Sequence, residues 1–134
     1  MRYPVAVAVT DQDFRRIALS LPEAEERLHM AHPDFRVGGK IFATLHYPSA
    51  GWAMVKLTPE QQREFVTAEP AAFVPIKNAW GLKGATNVKL QAVSETELRR
   101  ALLIAWRGTA PKRSSSPHAA GSRSSAPPSP KRLK

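Results

Sequence analysis

Residues 34–46 read DFRVGGKIFATLH, and this stretch predicts a β-hairpin. Two short runs rich in β-branched and aromatic residues flank Gly38-Gly39, which can adopt the positive φ angles that a two-residue turn requires. A longer turn over residues 47–51 then leads to a third strand over residues 52–57. The segment therefore predicts an antiparallel meander.

Helices are predicted before and after this meander in the sequence. Residues 10–21 combine a threonine cap, two aspartates in the first turn and apolar residues at helical spacing. Residues 58–68 begin with Thr-Pro-Glu, and residues 94–107 begin with the Ser-x-x-Glu pattern of a capping box. These signals predict three helices, each with one apolar face.

The remaining segments complete the predicted fold class. Residues 85–93 alternate between apolar and polar side chains and predict one more strand. Residues 70–84 are interpreted as irregular, and residues 23–27 as a solvated connector or a short helical turn. The predicted fold class is therefore α+β, with helices and an antiparallel sheet.

Length and composition predict one folded domain with a tail. The chain has 134 residues, 43% of them hydrophobic, and no cysteine, which excludes disulfides and thiolate metal sites. We expect a domain over residues 1–110. Residues 111–134 consist mostly of Ser, Pro, Ala, Gly, Lys and Arg, which cannot bury enough apolar surface to order the chain, so we expect them to be disordered. Without a signal peptide pattern or a long apolar run, a cytoplasmic location is expected.

The net charge of +9 is divided unequally along the chain. Residues 1–110 contain 14 Lys and Arg against 11 Asp and Glu, whereas residues 111–134 contain 6 basic residues and no acidic one. The tail can therefore bind polyanions such as DNA without sequence specificity, or it can be a solubilising extension. The folded domain is only mildly basic.

The hairpin register sorts the strand residues onto two faces. One face is aliphatic and suited to being covered by helices: Ile41, Ala43, Leu45, Ala53, Val55 and Leu57. The opposite face mixes aromatic and basic residues: Phe35, Val37, Lys40, Phe42, His46, Trp52, Met54 and Lys56, with Asn87 and Lys89 beside them. Such a face is either a packing surface, for example for a homodimer, or a stacking platform for nucleic-acid bases.

Catalytic and metal-binding patterns are weak. His29, His32 and His46 are the candidate metal ligands, but Pro33 follows directly and no carboxylate pattern accompanies them, so no metal site is predicted. His29 is interpreted as a structural or pocket residue. The sequence has no cysteine and no Gly-x-Ser-x-Gly pattern, so we expect neither an enzyme nor a cofactor.

Several motifs in order resemble the MmcQ/YjbR-like family. They are residues 13–22 (DFRRIALSLP), His29, residues 33–43 (PDFRVGGKIFA), residues 56–60 (KLTPE), Trp80-Gly81, residues 88–90 (VKL) and residues 105–107 (AWR). The resemblance covers about residues 10–113. It implies a two-layer α/β sandwich, described as double-wing or frataxin-like, and a DNA-binding role, with no catalytic residues. One departure is Gly84-Ala85-Thr86, where the family usually has Gly-Trp-Thr.

Together these observations predict a small DNA-binding protein, with DNA its partner and no membrane. The alternatives are a small-molecule-binding or sequestering protein and a dimeric interaction module. The hairpin tip is either a wing against the DNA backbone or simply a tight turn. The predicted nucleic-acid contacts are Arg36, Lys40, Lys56, Lys89, Lys112, Arg113, Lys131 and Arg132. The predicted pocket or stacking residues are His29, Phe35, Phe42, Trp52 and Trp80.

Overall fold

The computed structural model describes residues 9–29 and 32–111, apart from the side chain of His29. The described residues form four helices and six strands. These are α1 (Asp11–Leu19), β1 (Glu25–His29), β2 (His32–Val37), β3 (Lys40–Leu45), β4 (Trp52–Lys56), α2 (Pro59–Ala68), β5 (Phe73–Pro75), α3 (Ala79–Leu82), β6 (Ala85–Lys89) and α4 (Glu95–Thr109).

The strands form one antiparallel sheet in the order β1-β2-β3-β4-β6-β5. Helices α1, α2 and α4 pack on one face, which we call the covered face, and their apolar residues join those of the sheet in one core cluster. The other side of the sheet, the open face, has only a small separate cluster of Met54, Ile76 and Ala85. The predicted α+β sandwich is confirmed.

The helix starts follow the predicted capping chemistry. Thr10 and Thr58 each accept a hydrogen bond from the backbone N–H three residues later, and the side chain at that later position bonds back to the cap. Ser94 caps α4 in the same way, but its own backbone N–H donates to Glu69 at the end of α2, 3.1 Å away. The α4 cap therefore also ties two helices together.

Two segments differ from the sequence-based interpretation. Residues 23–27 were expected to be a connector or a helical turn, but Glu25–His29 form strand β1 at the edge of the sheet. Residues 70–84, expected to be irregular, contain β5 and α3. Both strands lie at sheet edges, where side chains are exposed and no apolar alternation is needed, so the pattern on which the prediction relied is missing.

The predicted faces of the first hairpin are wrong because β3 contains a β-bulge. The pairs Val37–Lys40 and Arg36–Ile41 form as expected, but Phe35 pairs with Ala43 and leaves Phe42 as the extra residue. A bulge changes the alternation of side chains along the strand. Consequently Phe35, Val37 and Phe42 lie in the core on the covered face, and Ile41 lies on the open face.

Beyond the bulge, Thr44 pairs with Met54, and Trp52, Met54 and Lys56 pair with Lys89, Asn87 and Ala85. Trp52, Met54 and Lys56 therefore share one face with Asn87 and Lys89, as predicted. Among the described residues, no helix is long and apolar enough to cross a lipid bilayer. Of the tail predicted for residues 111–134, all but Pro111 lies outside the described residues, and the tail stays a prediction.

Candidate functional site

A row of side chains crosses the open face from strand to strand. The pairing places Asp34, Thr44, Met54 and Asn87 side by side on β2, β3, β4 and β6. Asp34, Thr44 and Met54 form the floor of a cavity of about 690 Å³. The residues that line it are His32, Asp34, Ile41, Thr44, Tyr47, Met54, Lys56, Leu57, Trp80, Lys83 and Ala85.

An ion pair lies at one side of this floor. Asp34 is only 1% exposed, and both of its carboxylate oxygens accept hydrogen bonds from Arg36, at 2.9 and 3.2 Å. Such a bidentate pair suits a carboxylate that is removed from water. The bond to Asp34 also raises the pKa of Arg36 above its ordinary value. The charge of Asp34 is therefore balanced within the site.

Two histidines hold the loop that leads from β3 to β4. His46 Nε2 donates to Asp11 at the start of α1 (2.7 Å), and His32 Nδ1 donates to the backbone carbonyl of His46 (2.7 Å). Carboxylate and carbonyl oxygens can only accept in these bonds, so each named ring nitrogen carries a hydrogen. His32 thus lines the cavity in a fixed orientation.

Three rings stand along the cavity wall. The His32 and Tyr47 rings are nearly perpendicular at 5.8 Å, and the Tyr47 and Trp80 rings are 6.4 Å apart, centroid to centroid. Asn87 donates to the backbone carbonyl of Tyr47 at 3.2 Å and so fixes the loop that bears this ring. Trp80 is 55% exposed although it is a large aromatic residue. An exposed face of tryptophan in a cavity wall is suited to stacking with a flat ligand.

The position of Trp80 depends on two glycines in and after α3. A Cβ at Gly81 would lie 1.5 Å from the carbonyl oxygen of Ile76, and one at Gly84 would lie 1.9 Å from that of Leu57. Gly84 also has a φ of +111°, a conformation that favours glycine. Only glycine therefore allows α3 to approach the sheet this closely.

A buried glutamine fastens α3 to the helical layer. Gln62 of α2 donates to the carbonyl oxygens of Gly81 and Ala85 and to the hydroxyl of Thr86, at 3.0–3.2 Å. Thr86 in turn donates to the carbonyl oxygen of Gly84. Because buried polar groups need partners, this network fixes the segment that bears Trp80 and Lys83.

The charges of the described residues are segregated. Six of the eight arginines form ion pairs: Arg15, Arg16, Arg27, Arg36, Arg99 and Arg100. In contrast, the five lysines in this part of the chain form no ion pair; they are Lys40, Lys56, Lys77, Lys83 and Lys89. None of these lysines belongs to α1, α2 or α4, where most of the acidic residues lie.

The predicted basic contacts are distributed as follows. Lys56 lines the cavity, and Lys89 is exposed opposite Trp52 on the same face. Lys40 is exposed at the hairpin end, but it pairs with Val37 and so lies on the covered side of the register. Arg36 is bound to Asp34. The predicted contacts of the tail (Lys112, Arg113, Lys131 and Arg132) lie outside the described residues.

Three of the predicted pocket or stacking residues do not line the cavity. Phe35 and Phe42 are fully buried in the core, so they cannot stack with a ligand, and the bulge in β3 is the reason. Trp52 is half-buried and does not line the cavity, whereas Trp80 does. His29 is the last residue of β1, paired with His32, and its side chain is outside the description.

The candidate metal ligands are not brought together in the part of the chain that can be described. His46 Nε2 is bonded to Asp11, and His32 Nδ1 to a carbonyl. No group of three or more His, Asp or Glu side chains suited to a metal ion occurs among the described residues. The expectation of no metal site stays a prediction.

Among the cavity residues that sequence reasoning missed are Asp34, Thr44, Tyr47 and Lys83. Asp34 lies on the open face because the bulge reverses the faces of β2, whereas Thr44 follows from its pairing with Met54. Tyr47 and Lys83 lie in the β3–β4 loop and just after α3, and only the tertiary fold brings them over the sheet. In the sequence, the signal available for this part of the site was the pair of glycines, Gly81 and Gly84, that follows Trp80.

Comparisons with known proteins agree with this description. The fold is similar to the crystal structure of a Deinococcus radiodurans protein with a DUF419 domain, with a TM-score of 0.62 and 20% sequence identity over 76% of this chain and 80% of that one. No curated protein matches the sequence. The model of the YjbR family matches residues 19–108, which include every strand and all but the last residue of α4. This chain belongs to the YjbR family.

Proposed function

We propose that this protein binds single-stranded nucleic acid, DNA in particular, through the open face of its sheet. The observation that supports this most is the segregation of charge: Lys56, Lys83 and Lys89 lie on or beside the open face without an ion pair in the described part of the chain, whereas four of the six helical arginines are paired with acidic neighbours. Unpaired ammonium groups are available for phosphates without first breaking an internal ion pair. The proposal includes no reaction and no cofactor.

The shape of the site favours a single strand over a duplex. The cavity is concave and bordered by Tyr47 and Trp80, so it suits a base that has left its stack. Bases in a duplex are stacked and paired, whereas those of a single strand can turn outwards and stack on aromatic side chains. Lys56 and Lys83, which line the same cavity, are then placed for phosphates.

The predicted tail starts at a favourable place. Pro111 contacts the hairpin turn, since a Cβ at Gly38 would lie 2.7 Å from its ring. This turn is at the end of the sheet towards which β4 runs and where Lys56 lies. A basic tail that begins here can reach the phosphates of a strand bound on the open face, and it adds affinity without sequence specificity.

Fluorescence anisotropy with a short labelled oligonucleotide tests the proposal. The full chain and a chain that ends at Pro111 are titrated over a range of salt concentrations, with circular dichroism to verify that the shorter chain is folded. We expect the shorter chain to bind single strands at low salt. A plot of the logarithm of its binding constant against the logarithm of the salt concentration should have a slope that is shallower by up to about 4. The reason is that the truncation removes six cations, each of which contributes about 0.7 per phosphate contact on single strands. If only the full chain binds, the tail explains all the affinity and the proposal for the open face is wrong.

A second candidate function is the binding of a small molecule, which the size of the cavity favours. Its volume of about 690 Å³ lies in the range typical of ligand pockets. Of the expected pocket residues whose side chains the structure describes, only Trp80 lines it. A homodimer formed through the open face would cover this cavity, so a monomer at all concentrations in sedimentation would exclude that alternative.

A further inference from the structure

The positions of the polar atoms in the cavity indicate a narrower class of ligand than nucleic acid in general. His32 uses Nδ1 to donate to the carbonyl oxygen of His46. In the neutral ring the other nitrogen, Nε2, then holds a lone pair. No described residue hydrogen-bonds to this nitrogen. The wall of the cavity therefore offers a fixed acceptor for an N–H group.

The opposite end of the cavity offers cations. His32 is level with Trp52 in the sheet, and Lys56 lies four residues beyond Trp52 on β4, which is about 13 Å along the strand direction at about 3.3 Å per residue. Lys56 and Lys83 form no ion pair among the described residues, and Asp34 between them and His32 is neutralised by Arg36. An anionic group is therefore favoured at the lysine end and an uncharged N–H donor at the histidine end.

Between the two ends lies the aromatic wall. The Tyr47 and Trp80 rings are inclined at 45° to one another, and Trp80 is exposed. A flat ring can stack on Trp80 while its edge approaches His32. A stacked heterocycle with N–H groups at one end and a phosphate at the other is the chemistry of a nucleotide.

We propose that the cavity is a site for a single nucleotide. The base stacks on Trp80 and donates an N–H to His32 Nε2, and the phosphate binds Lys56 and Lys83. This inference rests on the proposed function, because one nucleotide unit of a bound strand would occupy the same site. A free nucleotide and a unit of a strand share this chemistry, and the experiment separates them.

Isothermal titration calorimetry on the full chain tests the site with deoxyadenosine monophosphate and with phenyl phosphate. Phenyl phosphate has an aromatic ring and a phosphate but no N–H donor. We expect the nucleotide to bind about tenfold more tightly, which is the value of one hydrogen bond to a buried acceptor. The variant His32→Asn keeps an N–H in place of Nδ1 for the His46 carbonyl but removes the acceptor at Nε2. It should lose this tenfold preference and leave phenyl phosphate binding unchanged.

Equal affinities of the wild type for the two ligands would overturn the nucleotide site, whatever the folding of the variant. An equal loss for both ligands in His32→Asn would overturn the role of His32. Competition separates this inference from the proposed function. If an oligonucleotide binds but the nucleotide does not displace it, the nucleotide site is wrong and the function stands. If the nucleotide binds with the expected preference and oligonucleotides do not bind, the site stands and the function is wrong.

Discussion

The ring of Trp80 lies 6.4 Å from the ring of Tyr47, and the two side chains together wall the cavity on the open face. Separate interactions position the two side chains. Asn87 bonds to the backbone of Tyr47, whereas Trp80 belongs to a short helix that packs closely because Gly81 has no side chain. The cavity is therefore a product of the tertiary fold and not of one motif.

Filling the cavity should abolish base binding. Ala85 lines it and pairs with Lys56 on the open face, so Ala85→Trp would place an indole where the base is proposed to lie. We expect the loss of one stacked base, about 1–3 kcal/mol or a fivefold to hundredfold weaker affinity, measured by anisotropy with a single-stranded oligonucleotide. Ala68→Trp, at an exposed position of α2, is the control. Equal affinities of the two variants would show that the cavity is not used.

The support of α3 can be tested through Gln62. Leucine at this position keeps the volume but removes the donors to Gly81, Ala85 and Thr86. Buried acceptors without a partner cost about 1–3 kcal/mol, so urea unfolding of Gln62→Leu should show a loss of that size. The exposed turn residue Gln91 provides the control Gln91→Leu, for which a change within about 0.5 kcal/mol is expected. A Gln62→Leu variant as stable as its control would mean that the network does not hold α3.

Most of the fold could be predicted from local signals. The capping residues Thr10, Thr58 and Ser94 locate the helix starts in the sequence, and Gly38-Gly39 locates the first turn. In these places the side chain or the permitted φ determines the local structure directly. The edge strand β1 was missed because residues 25–28 are exposed and mostly polar, so the strand needs no apolar face.

The site was harder to predict than the fold because it depends on register. The extra residue at Phe42 moves three apolar side chains from one face to the other, and nothing in the hairpin sequence distinguishes a bulged from a regular pairing. Lys56 and Trp80, two of the residues expected at a binding site, both line the cavity, and neither position depends on the pairing at the bulge. The residues from the loop and from α3 required the packed structure.

The corrected position of Phe35 predicts a stability effect in place of a binding effect. Phe35 is fully buried and its ring lies 5.5 Å from that of Phe14. Phe35→Ala should lower the free energy of unfolding by about 3–5 kcal/mol. Trp80→Ala, at a largely exposed position, should cost much less and weaken oligonucleotide binding instead. Denaturant unfolding measures the first effect and anisotropy the second; a stable Phe35→Ala variant would contradict the assigned register.

The start of α1 should make stability depend on pH. The pKa of Asp13 is lowered, chiefly by the hydrogen bond from the Thr10 backbone N–H and then by Arg16. A lowered pKa in the folded state contributes stability above the unfolded value of about 3.9, and this stability is lost as the pH falls through the folded value. The wild type should therefore exceed Asp13→Asn in unfolding free energy at neutral pH, and the difference should shrink below about pH 4. A difference that does not change with pH would contradict the role of the charge.

The open face as the nucleic-acid-binding surface is tested most directly by two variants of the full chain with the same net charge. Lys56→Gln with Lys83→Gln removes two cations from the cavity, and Arg63→Gln with Arg107→Gln removes two cations from exposed positions of α2 and α4 that form no ion pair among the described residues. In anisotropy titrations with a single-stranded oligonucleotide, the lysine variant should bind about tenfold more weakly at low salt. The slope of the logarithm of its binding constant against the logarithm of the salt concentration should be shallower by about 1.4, at about 0.7 per phosphate contact. The arginine variant should bind like the wild type. Equal losses in the two variants, or no loss in the lysine variant, would contradict the account.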